Sequence, residues 1–411
     1  MIPGPGDLWF LPLGGCGEIG INMNLYGHDG RWLLVDAGIG FNRDAGPTRV
    51  FTARSDFIAE RREVLEGLLV THAHEDHVGA VAYHWPRLRC PVYCSRFTAA
   101  ILEGKLAEAG LAGRVPVTVV EPGARQRLGP FDIEWVHMTH STPESRALVI
   151  RTPAGNVFHT GDFKLDRAPV LGASYDEAAL RQLGDEGVLA MVCDSTNATV
   201  EGRSATEEAL YEHLLAKVMA ARRRVIVACF GSNVARLVTL ARVAEAGGRY
   251  PGLLGRSLEN YYRAAEASGL WPLQGRMTPA AHLGYLPPEE VFLVATGSQG
   301  EQGAALPRLA QASHPALELE PGDTVIFSSR VIPGNEAAVG RLHRGLKILG
   351  ADVITDDDGD APIHASGHPA RDELRDLYSW IRPRISVPVH GEPEHLEAHA
   401  ALAREVGVPM L

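Results

Sequence analysis

The chain has few of the features that mark secreted or membrane-spanning proteins. Its 411 residues include five cysteines, a small and odd number that favours reduced thiols over a disulfide framework. No apolar run approaches the length of a membrane span, and the N-terminal residues lack the basic stretch and apolar core of a signal peptide. We therefore expect a cytoplasmic protein with no membrane partner.

The chain also lacks an excess of positive charge. Its formal net charge is −11, which argues against a protein that coats nucleic acid non-specifically but is compatible with a local basic groove. Hydrophobic residues make up 45% of the chain, so a large core can be buried. The length suits about two or three domains.

Two patterns of secondary structure follow one another along the sequence. Up to about residue 194, short strand-like runs dominate, with helical patterns at 55–67 (Ser55 as the N-cap), 95–110 and 175–184. From residue 204 a long amphipathic helix with a capping-box pattern is predicted to extend to about residue 223. Buried strands separated by helices then indicate a parallel α/β sheet.

Residues 15–20 match the G-x-G-x-x-G pattern, and Asp36 ends a later strand-like run. That pattern binds dinucleotides only where a helix opens at the glycines, because the helix N-terminus holds the pyrophosphate. The following residues predict a hairpin instead, so we do not predict a nucleotide site here.

The segment "LLVTHAHEDHVGA" carries the densest group of polar side chains in the sequence. Its imidazole and carboxylate residues are His72, His74, Asp76 and His77. His140, Asp162 and His390 each follow another strand-like run. Because α/β folds place ligand sites beyond the carboxyl ends of strands, we expect these seven side chains to converge. The alternative is that each histidine is satisfied separately in its own turn.

Imidazole nitrogens with a few carboxylates suit zinc, with manganese or magnesium as alternatives. Seven ligands exceed the needs of one tetrahedral ion. They suit two ions per chain that share a bridging carboxylate at roughly 3.5–4 Å and leave positions open for water.

Several segments together resemble one known family. "THAHEDHVGA" is similar to the signature of the metallo-β-lactamase superfamily. "HSTPES", "HTGDFKLD", "DSTNA", "HASGHP" and "PVHGEPEH" resemble β-CASP nucleases, and within them the bacterial ribonuclease J family. The resemblance extends over essentially the whole chain and also includes "PLGGCGEIGINM", "ATGSQGE" and "SSRVIPGNE".

The resemblance implies an α/β architecture, a metallo-β-lactamase αββα sandwich with an inserted β-CASP α/β domain. The first domain would span residues 1–200, the insertion 201–350, and residues 351–411 would return to the first domain. It also implies two ligand sets with Asp162 bridging. His72, His74 and His140 would hold one zinc, and Asp76, His77 and His390 would hold the other.

The resemblance implies a zinc-dependent ribonuclease that hydrolyses RNA phosphodiester bonds in RNA processing and decay, as an endonuclease, a 5′-to-3′ exonuclease or both. A hydroxide bridging the metals would attack phosphorus in line. The catalytic residues would be Asp76, His368 and Asp194, with His368 at the scissile phosphate. The residues expected to bind RNA phosphates are Ser298, His364, His368 and Ser329.

Two other functions stay open at this point. One is a small-molecule metallo-hydrolase, such as a lactonase or thioesterase, which would not need the inserted domain. The other is an RNA-binding scaffold without catalysis, which would not need a complete ligand set. Relatives usually carry a further C-terminal domain that supports dimerisation, and this sequence stops at "AREVGVPML". The sequence is therefore either a short form or a truncated one, and it leaves open a homodimer as well as which other RNA-decay proteins bind the chain.

Overall fold

The computed structural model describes residues 2–41, 50–332, 334–356 and 362–411. In chain order, the strands are β1 (Trp9–Gly14), β2 (Met23–His28), β3 (Arg31–Val35), β4 (Ile39–Phe41), β5 (Val50–Thr52), β6 (Leu65–Leu69), β7 (Val92–Cys94), β8 (Val117–Val119), β9 (Arg125–Leu128), β10 (Phe131–His137), β11 (Arg146–Thr152), β12 (Gly155–His159), β13 (Ala190–Asp194), β14 (Val225–Ala228), β15 (Tyr250–Leu254), β16 (Val291–Ala295), β17 (Thr324–Phe327), β18 (Asp352–Ile354) and β19 (Ile385–Val389).

The α-helices connect these strands. They are α1 (Asp56–Ala59), α2 (Glu75–Val78), α3 (Val81–Leu88), α4 (Arg96–Glu108), α5 (Glu177–Glu186), α6 (Tyr211–Ala220), α7 (Val234–Ala246), α8 (Arg256–Ala267), α9 (Ala280–Leu283), α10 (Ala305–Ala310), α11 (Glu336–Ile348), α12 (Arg371–Ile381) and α13 (Pro393–Glu405). Short 3₁₀ turns lie at Arg62–Val64, Glu208–Leu210 and Pro288–Glu290.

Two six-stranded sheets pack face to face. The first has the strand order β1-β2-β3-β6-β7-β8 and the second β19-β13-β12-β11-β10-β9. Their facing side chains form one buried cluster, to which Tyr26 and Leu33 contribute from the first sheet and Trp135 and Leu148 from the second. Because alternate residues of a strand point to opposite faces, each sheet has a second apolar face to cover.

Helices cover both outer faces. On the first sheet, α1, α3 and α4 bury residues such as Ile58 and Phe97 in one cluster. On the second sheet, α5, α12 and α13 bury Leu180, Leu374 and Leu402 in another. The result is the four-layer αββα sandwich predicted from the sequence.

The inserted part is a separate three-layer unit. Its sheet has five strands in the order β15-β16-β14-β17-β18, and every pairing in it is parallel. Apolar clusters fill both of its faces, which explains why its strands are near-continuous hydrophobic runs. The chain leaves the second sheet after β13 and returns to it with β19, which pairs with β13 in parallel. The predicted α/β fold class is confirmed.

The topology brings the carboxyl ends of several strands, and the polar residues that follow them, to one edge of the sandwich. In the second sheet, β12, β13 and β19 are parallel neighbours, so their carboxyl ends lie side by side. In the first sheet, β6 is parallel to both of its neighbours. Asp194 pairs with Val389, which places it next to His390. Ligand sites of α/β folds lie at this kind of edge.

Two predicted helices are shorter than their sequence patterns. The helix expected over residues 55–67 ends at Ala59, and Ser55 makes no side-chain cap, because the apolar residues from Leu65 form strand β6 instead. The helix expected from residue 204 begins only at Tyr211. Glu207, read from the sequence as part of that helix, pairs with the fully buried Arg236.

Candidate metal centre

The segment after β6 forms the first half of the centre. We call residues 71–74 the metal loop; it leads directly into α2. His74 Nδ1 lies 3.1 Å from His72 Nε2 and 3.0 Å from His140 Nε2. Together with Asp162, these residues form a set whose ligand atoms all lie within 4.8 Å of one another. We call it set A.

The other predicted ligands form a second set around the same aspartate. Asp162 Oδ1 lies 3.3 Å from His77 Nε2 and 3.3 Å from His390 Nδ1. Asp76 Oδ2 lies 3.0 Å from His390 Nε2. Asp76, His77, Asp162 and His390 again keep their ligand atoms within 4.8 Å of one another. We call them set B. The structure therefore brings all seven predicted ligands together, with Asp162 common to both sets.

The chemistry of the donor atoms fits bound cations. His140 Nδ1 donates to the carbonyl oxygen of Gly367 at 2.6 Å. If the ring is neutral, Nε2 therefore carries no proton, and its lone pair faces His74. A single proton on His74 Nδ1 cannot make good hydrogen bonds to both of its neighbours. Asp162 Oδ2 is buried and has no hydrogen-bond partner among the described residues. A buried carboxylate oxygen without a partner is costly unless a cation balances it.

The pKa values of set A favour the neutral form that binds metals. Burial lowers the pKa of His72 and His140 well below the ordinary value, and neighbouring imidazoles act in the same direction. Burial likewise lowers the pKa of His74 to about 4, although Asp76 and Asp162 oppose it. Neutral imidazoles are metal ligands at neutral pH.

In set B, the neighbouring carboxylates instead favour the protonated, positively charged form of the two histidines. Burial opposes protonation of His390, but Asp162, Asp194 and Asp76 raise its pKa to about 10. Burial also opposes protonation of His77, whose pKa Asp162, Asp36 and Asp76 nevertheless raise well above the ordinary value. Burial disfavours ionisation of Asp162, yet His390 and His77 lower its pKa below the usual range. A divalent cation bound in set B would balance the negative charge of these carboxylates in place of the two protons.

A buried aspartate orients one of these ligands. Asp36 Oδ2 accepts a hydrogen bond of 2.7 Å from His77 Nδ1, which leaves Nε2 facing Asp162. The same carboxylate accepts from the backbone N–H and the hydroxyl of Thr71. Outer carboxylates of this kind fix the tautomer and the orientation of a metal-binding histidine. Asp36 was not predicted in this role; the signal in the sequence is that it directly follows β3, a strand of the same sheet as the β6 strand that leads into the metal loop.

His368 lies beside the centre and is held by Asp194. His368 Nδ1 donates to Asp194 Oδ2 at 2.8 Å, and the His368 side chain is 20% exposed. Asp194 also accepts from the N–H and the hydroxyl of Thr196, as in an Asx turn. Asp162, Asp194, His368 and His390 form a third set with metal-ligand spacing, which overlaps set B.

Three of the four residues predicted to contact RNA, Ser298, Ser329 and His364, lie on the side of the inserted sheet, whereas His368 lies beside the metal centre. Ser298 follows β16, Ser329 follows β17, and both are buried. Burial, Arg236 and Arg330 lower the pKa of His364 to about 3, with Lys164 adding to the effect. Among the described residues, no hydrogen bond or ion pair joins Ser298, Ser329 or His364 to the seven ligands. The inserted unit lies close to the metal centre. Residues of both units, including His140, Lys164 and Asn233, line one cleft beside it.

No helix among the described residues is long and apolar enough to cross a membrane.

Known protein families match three consecutive parts of the chain. Residues 16–194 match the metallo-beta-lactamase superfamily. Residues 222–346 match the beta-CASP domain of ribonuclease J. Residues 361–411 match a family described as the Zn-dependent metallo-hydrolase RNA specificity domain.

Curated proteins are similar over nearly the whole chain. A ribonuclease J of Sinorhizobium meliloti is 45% identical over 98% of this chain and 72% of its own length. A ribonuclease J of Mycobacterium tuberculosis is 38% identical over 99% of this chain and 73% of its own length. Among solved structures, a protein of unknown function from Enterococcus faecalis V583 superimposes with a TM-score of 0.64 at 16% identity, covering 94% of this chain and 95% of that one. The last likeness concerns the fold alone.

Proposed function

The chain belongs to the ribonuclease J family of metallo-β-lactamase and β-CASP proteins, and on that premise we propose that it is a metal-dependent ribonuclease that hydrolyses phosphodiester bonds of RNA. One observation gives this proposal its strongest support. Two complete ligand sets share Asp162 at the edge of the sandwich where the inserted unit approaches. A scaffold without catalysis would not need this arrangement, and no feature of the site favours a small-molecule substrate.

Set A and set B would each hold one divalent ion, with zinc as the ion that best suits the histidine-rich donors. Bound there, two such ions supply an activated water and balance the charge that develops on phosphorus oxygens. The protein itself contributes the positions of the metal ligands. Asp162 fixes the spacing of the two sets, and Asp36 and the Gly367 carbonyl hold His77 and His140 with one nitrogen directed inward.

His368 is proposed to act on the substrate. Its Nδ1 is occupied by Asp194, so Nε2 is the nitrogen available for a phosphate oxygen or for the leaving oxygen. A positioned imidazole can donate a proton to the leaving group or stabilise developing negative charge. Asp194 holds the ring in one orientation and one tautomer.

RNA phosphates would bind along the inserted side of the cleft. Arg330, which acts electrostatically on His364, is exposed and offers positive charge here, whereas Arg236 is buried in an ion pair with Glu207 and Lys164 pairs with Asp166. Gln299 connects the segment of Ser298 to that of Ser329, because its side-chain amide donates to the Ser298 hydroxyl and to the carbonyl of Arg330, the residue after Ser329. We keep Ser298, His364 and Ser329 as proposed phosphate contacts.

The domain boundaries, the location, the oligomeric state and the mode of cleavage also stay proposals. Division of the chain near residues 200 and 350 is part of the proposal, and strand β18 favours placing the return to the first unit after Ile354. A cytoplasmic location, a homodimer, and endonuclease or 5′-to-3′ exonuclease activity also stay predictions.

The protein is expected to cleave 5′-labelled single-stranded RNA. Cleavage should stop when a chelator is added and return when zinc or manganese is restored, because the ligand sets activate water only through bound ions. Product analysis on a sequencing gel measures this directly. A parallel assay on a thioester and a lactone serves as the control for substrate class. Intact RNA at low salt alongside turnover of either small substrate would contradict the proposal.

A further inference from the structure

A tyrosine of the inserted unit reaches the backbone of the metal loop. Tyr261 lies on α8, and its hydroxyl donates a hydrogen bond of 2.7 Å to the carbonyl oxygen of Ala73. Ala73 separates His72 from His74, two members of set A. Tyr261 is 4% exposed and Ala73 is fully buried, so water does not compete for this bond. The two residues are 188 positions apart in the chain.

The ring of Tyr261 is held in place by packing. It lies 6.2 Å from the ring of Phe97 on α4, a helix of the first unit. Ala264 and Ala265, on the same helix as Tyr261, belong to the apolar cluster that covers the first sheet and includes Ala73. The contact between α8 and α4 therefore joins the two units through one continuous core. Burial raises the pKa of Tyr261 well above its usual range, and Glu75 and Asp76 add to the effect, so the hydroxyl remains a donor.

The bond from Tyr261 differs from the others that hold this loop. The carbonyl of Thr71 accepts from the N–H of Arg146, and that of His74 accepts from the N–H groups of His77 and Val78. These donors all belong to the first unit. Within the described ranges, the Tyr261 hydroxyl is the donor that reaches the Ala73 carbonyl. One point of the loop that presents His72 and His74 is thus fixed from the inserted unit.

We propose that Tyr261 is a positioning residue through which the seating of the inserted unit sets the geometry of the metal loop. When α8 is seated against α4, the hydroxyl holds the Ala73 carbonyl and keeps His72 and His74 directed at the set A position. When the helix is displaced, the buried carbonyl loses its donor and the loop relaxes. The inference rests on the proposed function, since it makes ion binding and turnover depend on contact between the two units.

Adjacent tyrosines provide a matched pair of variants. Tyr261→Phe removes the hydroxyl that reaches Ala73 and keeps the ring. Tyr262→Phe removes a hydroxyl that donates to Glu266 at 2.7 Å within the same helix. Tyr261→Phe is expected to weaken metal affinity, measured by chelator competition, by about tenfold, the lower end for loss of an outer partner of a metal site. Turnover should fall by a similar factor while KM for RNA changes less than about twofold, because the loop orients ions rather than binding RNA. Tyr262→Phe should leave all three unchanged.

A readout on metal-free protein separates this inference from the ribonuclease proposal. Hydrogen exchange of backbone amides in residues 72–78 should be faster in Tyr261→Phe than in the wild type, and unchanged in Tyr262→Phe. Equal metal affinity and equal exchange in the two variants would overturn the role of Tyr261. A general rise in exchange across the molecule, with no selective effect on these residues, would overturn it too. If the wild type fails to cleave RNA, the proposed function fails, while the affinity and exchange comparison still decides the role of Tyr261.

Discussion

Replacing Asp162 by alanine is expected to lower the rate of RNA hydrolysis by at least about 100-fold, since the carboxylate common to both ligand sets is lost. Oδ1 faces His77 and His390 at 3.3 Å, and Oδ2 lies 3.7 Å from His72 Nε2. No other carboxylate belongs to both set A and set B among the described residues. Initial rates on labelled RNA at saturating metal measure the effect.

The apo-protein should nevertheless stay folded after this change. Asp162 Oδ2 makes no hydrogen bond with the described residues, and the cost of burying this carboxylate without an ion offsets the attraction of Oδ1 for His77 and His390. Thermal unfolding of metal-free Asp162→Ala and wild type should give similar midpoints. Asp185→Ala, at an aspartate whose side chain is 74% exposed, is the matched control and should keep full activity. Retention of more than about a tenth of the wild-type rate by Asp162→Ala would contradict its bridging role.

Replacing His368 by alanine is expected to lower turnover by roughly 10²–10⁴-fold, the usual contribution of one acid–base group. Metal content should stay at the wild-type level, because set A and set B do not include His368. Affinity for RNA should fall only modestly, since the imidazole is proposed to act mainly in the transition state. Single-turnover rates, RNA binding and elemental analysis on one preparation test the three statements together. His282→Ala, at an exposed histidine on α9, is the control.

The pairing of His368 with Asp194 predicts how their variants combine. Asp194→Asn should lower turnover less than His368→Ala does, because the ring remains but loses its charged partner. The double variant should be far less impaired than the product of the two single effects, since the pair acts as one unit on the substrate, although Asp194 also lies 3.5 Å from His390 Nδ1. If His368→Ala instead loses one metal ion, His368 is a ligand. The third set, with Asp162, Asp194 and His390, would then replace set B as the second metal position.

The sequence made the ligands predictable because they are concentrated. Residues 72–77 alone supply His72, His74, Asp76 and His77, and the remaining three ligands each follow a strand. The near-continuous apolar strands of the inserted sheet were equally clear, since a parallel sheet buries both of its faces. Position after a strand and residue type together were enough for these elements.

Contacts between distant parts of the chain could not be predicted in the same way. The bond from Tyr261 to Ala73 depends on how α8 is seated against α4, and nothing near residue 261 indicates it. Glu207 sits in a pattern typical of a helix start and does precede the 3₁₀ turn Glu208–Leu210 that leads into α6, but its ion pair with the buried Arg236 could not be predicted from it. Local propensity carries no information about which distant partner a buried charge requires.

The metal content of the purified protein tests the central claim most directly. Elemental analysis after gentle purification, normalised to protein concentration, should give about two divalent ions per chain, with zinc as the expected metal, because set A and set B each offer a complete ligand group. The Asp162→Ala protein, purified in parallel, should hold fewer. A wild-type protein that holds one ion or none, and takes up no second ion when zinc is added in excess, would contradict the account.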